Sequence, residues 1–112
     1  METSRWIIKE WLCGHLPPGL FKLGGDLLML QEGEESAECT LVWADDGGRL
    51  WWIDYLPKGR SASVPVHFGP LTATCQVTLT QEGNVLSCTL KPGNDGHGGT
   101  FTAEGSGPPG EQ

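Results

Sequence analysis

Positive charge is scarce in this 112-residue chain: seven Lys and Arg stand against fourteen Asp and Glu, a formal net charge of -7. The cations are scattered, and their closest grouping is Lys58 and Arg60 around Gly59. So few cannot neutralise a phosphate backbone, which argues against a nucleic-acid partner. Long apolar runs are missing too. No stretch approaches the roughly 18 residues of a membrane-spanning helix, and Met1 to Trp6 lacks the cationic start and apolar run of a secretory leader. The expectation is a cytoplasmic protein with no membrane partner. The four cysteines, Cys13, Cys39, Cys75 and Cys88, lie far apart, with no C-x-x-C and no His at zinc-finger spacing. No metal and no cofactor are expected, and in a reducing compartment the thiols read as small buried hydrophobes.

What the chain does have is turn residues and large rings: 17 Gly, 8 Pro and 5 Trp. This length supports one core. Frequent turn residues between apolar segments favour many short strands over a helical bundle.

Residues 4 to 13 read as the one helix, with Thr3 or Ser4 as its cap and Gly14 past its end. Ile7, Ile8, Trp11, Leu12 and His15 fall on one stripe at helical spacing. Pro17 and Pro18 stop it. After Gly24-Gly25 a short strand fits Asp26 to Gln31. From residue 36 the apolar period is two: Ala37, Cys39, Leu41 and Trp43 share one face. Asp45 to Gly48 forms a hairpin turn and Arg49 to Leu56 the return strand. Residues 61 to 68 put Ala62, Val64, Val66 and Phe68 together, with Pro65 marking an edge or bulge. Ala73, Cys75, Val77 and Leu79 face one way on the next strand. A turn at Glu82-Gly83 then pairs Leu79 with Leu86, Val77 with Cys88 and Cys75 with Leu90. A glycine-rich loop over residues 92 to 99 precedes a last strand, Thr100 to Glu104. The expected fold is a mainly β, antiparallel meander barrel of six or seven strands, or a two-sheet sandwich, carrying one N-terminal helix. Residues 1–104 form its single domain, and residues 105–112 form a disordered tail.

The chemistry turns on the direction of a few side chains. A two-residue Asp46-Gly47 turn pairs Trp43 with Leu50 and sends Asp54 inward; a loop one residue different turns Trp51, Ile53 and Tyr55 inward and leaves Asp54 in water. The cost of burying a carboxylate favours the second arrangement. Inside, Asp54 becomes a general acid or base, with Tyr55 or His67 as its partner. His67 itself falls on the outer face unless the strand is bulged at Pro65. Asp95 and His97 are too few for a metal site. The glycine loop around His97 lacks the helix and lysine of a phosphate cradle, and no serine or cysteine triad is spaced for catalysis. Lys58 with Arg60, and Glu32, Glu34, Glu35 and Glu38, read as solvated loops.

Neighbours on a strand face opposite sides, so one of Trp51 and Trp52 points outward. Trp43, Trp51 or Trp52, Phe68 and Phe101 are the candidate walls of a ligand cavity. In architecture alone the expected barrel resembles lipocalin-like and avidin-like proteins, and no motif of either group is present. Three functions fit. The first is a barrel holding an apolar or aromatic small molecule. The second is a cofactor-independent isomerase or cyclase using Asp54, Tyr55 and His67. The third is an interaction module or homodimer using an exposed Trp face.

Overall fold

A computed structural model describes residues 2–13, 25–33, 35–44, 48–92 and 99–105, and gives side-chain positions for all of these except 10–13 and 92. Eight strands follow in chain order: β1 (Glu2–Cys13), β2 (Asp26–Gln31), β3 (Glu38–Ala44), β4 (Leu50–Pro57), β5 (Ser61–Phe68), β6 (Leu71–Glu82), β7 (Val85–Pro92) and β8 (Gly99–Gly105). Each pairs antiparallel with the next, and β1 pairs with β8 to close a barrel. The architecture is mainly β, with eight strands where six or seven are expected, and no helix occurs among the described residues.

The eighth strand comes from the segment expected to be helical. Residues 4 to 13 lie in β1, whose first half pairs with β2 (Thr3↔Leu30, Ile7↔Asp26) and whose second half pairs with β8 (Ile8↔Ala103, Trp11↔Phe101). Trp6, Ile7 and Ile8 are aromatic and β-branched, residue types that pack well on a pleated surface. A lone ten-residue helix is marginal, whereas a strand here satisfies the backbone edges of both β2 and β8. Trp6 and Ile8 are buried, while Arg5 and Lys9 are exposed. Period two therefore overrides the helical stripe.

One other expected register changes, and a second follows the arrangement favoured above. β6 and β7 pair two residues further along than expected, with Leu79 opposite Cys88, Val77 opposite Leu90 and Glu82 opposite Val85. The turn is therefore Gly83-Asn84, with Gly83 at a φ of 59° that its lack of Cβ permits. A shift of two keeps every apolar residue on the same face, so the face assignment survives. On the other hairpin, Ala44 faces Leu50 and Trp43 faces Trp51, the register that turns Trp51 and Ile53 inward. Residues 14–24, 45–47, 93–98 and 106–112, which include Gly14, His15, Pro17 and Pro18 at the end of the expected helix, part of the expected Asp-Gly turn, Asp95, His97 and all of the expected tail but Gly105, lie outside the described residues.

The buried side chains line the lumen, among them Leu27, Leu41, Ile53, Val77, Leu86 and Ala103, each 0% exposed. The outer face of β6 to β8 carries Thr74, Gln76, Thr78, Ser87, Thr89 and Thr102, none of them buried. On these three strands the alternation is apolar inside and polar outside. Among the described residues no helix is long and apolar enough to cross a membrane.

Candidate functional site

The barrel has two unlike ends. Where β3 ends and β4 begins, four rings gather in the lumen. Trp43 stacks on Trp51 with centroids 5.8 Å apart, and Trp51 stacks on Phe68 at 4.9 Å. Phe101 on β8 tilts against Trp43 at 5.5 Å, a contact that crosses the lumen because β3 and β8 are not neighbours. Four of the five expected cavity walls are thus brought together, and they touch one another. Trp43, Trp51 and Phe101 are buried; Phe68 is half-buried at the rim. Eight strands enclose a space that side chains can just fill, and at this end the four rings pack into it against one another.

The fifth candidate, Trp52, lies outside. Its indole stacks on the His67 ring at 4.7 Å, and His67 Nδ1 is 3.0 Å from the Thr72 hydroxyl. Trp52 is therefore half-covered, and His67 points outward as its strand parity requires. Asp54 and Tyr55 also lie outside, with Tyr55 75% exposed. The cause is a bulge. The β3–β4 register slips between Cys39↔Leu56 and Leu41↔Ile53, and Tyr55 takes the left-handed backbone at φ 52°. The extra residue lets Ile53 and Leu56, three apart, both point inward while Asp54 and Tyr55 both point out. An acid/base pair inside the barrel needs Asp54 in the lumen, and Asp54 faces solvent.

The opposite end, where β1 begins and β2 ends, is polar. Here β4 runs past its bulge into a strap that folds across the opening. Lys58 N–H donates to Ala37 O at 2.9 Å, and Gly59 N–H donates to Leu79 O at 2.7 Å. Lys58 Nζ donates to Gln31 Oε1 at 2.6 Å. The loop tip expected from Lys58 and Arg60 is thus divided: Arg60 is exposed, whereas Lys58 is half-buried and holds Gln31. Beside the strap lies a hollow of about 410 Å³. Trp6 and Met29 supply apolar wall; Ser4, Gln31, Gln81, Glu2 and Glu35 supply polar wall. Trp6 is fixed by its Nε1–H, which donates to Ser4 Oγ at 2.9 Å, and the Ser4 hydroxyl in turn donates to Met29 O at 3.5 Å.

Gln31 is the single buried polar side chain among the described residues, at 9% exposure. An ammonium can only donate, so Lys58 selects the amide oxygen and leaves Nε2, with its two donors, turned elsewhere. Nε2 has no hydrogen-bond partner among the described residues. Charge at this end is lopsided. Glu2, Glu32, Glu35, Glu38, Glu82 and Glu104 belong to its strands and loops, against Lys58 and Arg60.

Three thiols, Cys39, Cys75 and Cys88, are free and buried. Burial pushes the Cys39 thiol up from 9.0 to about 11, an effect the Lys58 ammonium tempers. Burial also raises Cys75, and raises Cys88 with a further push from Cys39. They stay protonated near neutrality and are poor nucleophiles. Among the described residues no three His, Cys, Asp or Glu gather where a metal could be held.

Sequence reasoning missed the polar hollow, although parity offered a signal. Gln31 continues the inward series Leu27, Met29, and Gln81 continues Cys75, Val77, Leu79; in both strands a polar side chain takes the last inward position. Ser4 and Trp6 were hidden by the helical reading. Comparison with known proteins adds no analogy: no family profile, no curated protein and no solved structure matches the chain.

Proposed function

We propose that this protein binds a small, partly apolar molecule in the hollow at the polar end of the barrel. The observation that carries the reading is the hollow itself. At about 410 Å³ it falls within the size range of small-molecule sites. Its wall is mainly polar and combines an apolar patch from Trp6 and Met29 with side chains that can orient a ligand, among them Ser4, Gln31 and Gln81. The rings of Trp43, Trp51, Phe68 and Phe101 serve as core, since the space between them is taken by their own contacts. The proposed binding residues are therefore Trp6, Met29, Gln31 and Gln81. Binding needs no covalent step, in keeping with buried, protonated thiols.

The test is a ligand-observed NMR screen of a fragment panel spanning amines, alcohols, carboxylic acids and neutral aromatics. It is run on the full chain and on Gln81→Trp, which fills the hollow from an exposed position. The expected result is at least one hit that Gln81→Trp abolishes. A panel without hits, or hits that Gln81→Trp leaves intact, overturns the reading.

A further inference from the structure

We infer that the ligand of this hollow is a small organic cation, an ammonium whose body also carries a hydrogen-bond acceptor. The inference rests on the proposed binding function and names its ligand class. Three features converge. Glu2 and Glu35 both line the hollow, and no cation among the described residues lines it. Neither carboxylate has a side-chain partner among the described residues. The Trp6 ring lies in the same wall, held by its bond to Ser4, and an indole face attracts an ammonium through its quadrupole.

The third feature is Gln31, whose amide is nine-tenths buried and lines the same hollow. With Oε1 held by Lys58, its free donors suit a hydroxyl or carbonyl oxygen on the ligand. A buried donor without a partner is costly, so an acceptor that satisfies it adds to affinity. Lys58 offsets part of the negative charge. Its ammonium is engaged by Gln31 Oε1 and does not itself line the hollow. The excess of glutamates around this end adds a field that attracts cations at long range.

Choline and its neutral carbon isostere, 3,3-dimethyl-1-butanol, share shape and hydroxyl and differ in charge. Isothermal titration of the full chain with each compound isolates the charge. Choline is expected to bind roughly ten-fold more tightly than the alcohol, a preference that weakens as salt rises. In Glu2→Gln/Glu35→Gln, two exposed positions whose change spares the core, the preference is expected to fall to about two-fold or less. Equal binding of the two compounds, or a preference unchanged in the double variant, overturns the cation inference and leaves small-molecule binding standing. If neither compound binds and the hits of the fragment panel are neutral or anionic, the cation inference alone fails, whereas amine hits uphold it. If nothing in the panel binds, both fail.

Discussion

The two ends of one barrel are built on the same alternation and put it to different use. At one end the inward positions carry Trp43, Trp51, Phe68 and Phe101, and their rings close on each other. At the other end the inward series runs out into Gln31 and Gln81, and the lumen opens into a hollow of about 410 Å³. Aromatic residues supply stability where they pack together. The proposed binding site lies where the large residues stop and a few polar groups remain. The contrast explains why a chain with five Trp need not use most of them on a ligand.

Breaking the aromatic end gives the largest expected effect. Trp43 touches both Trp51 and Phe101, so Trp43→Ala is expected to cost about 3–5 kcal/mol, read as a fall in the denaturant midpoint. A loss below about 1 kcal/mol would mean that the cluster is loosely packed. At the polar end, Lys58→Met takes the charged donor from Gln31 and releases one anchor of the strap. About 1–2 kcal/mol is expected, with altered affinity at the hollow and no change in emission from the aromatic cluster.

The buried thiols bear on both ends through pH. Their folded values lie above the unfolded one, so their contribution is full below about pH 9 and is lost as pH rises toward about 11 for Cys39. Urea midpoints measured from pH 8 to 11 should fall across that window, and Cys39→Ala should flatten the fall. The smallest effect is expected on the outer wall. Asp54→Asn should change stability by no more than about 0.5 kcal/mol and leave binding unchanged. A large effect would return Asp54 to the functional site.

Much of this was legible in the sequence. The strands from β3 to β8 follow from period two and β2 from the turn before it, and the face assignments of β3, β5, β6 and β7 hold. The shifted β6–β7 register shows why: a slip of two residues leaves every side chain on its own side. Two features were not legible. Ile7, Ile8, Trp11 and Leu12 satisfy helical spacing, and only the need to pair β2 and β8 selects a strand for them. The bulge at Tyr55 depends on a left-handed backbone that its residue type does not advertise. Both decide the site, because β1 carries Ser4 and Trp6 into the hollow, and the bulge turns Asp54 and Tyr55 out and sends the strap across the opening.

The most direct test of the central claim is to see which end responds to a bound ligand. In a ¹⁵N-correlated titration with choline, the Trp6 indole N–H and the Gln31 side-chain amide are expected to shift. The Trp43 and Trp51 indoles should stay in place. Shifts at Trp43 or Trp51 with none at Trp6 would put the site at the aromatic end and contradict the account.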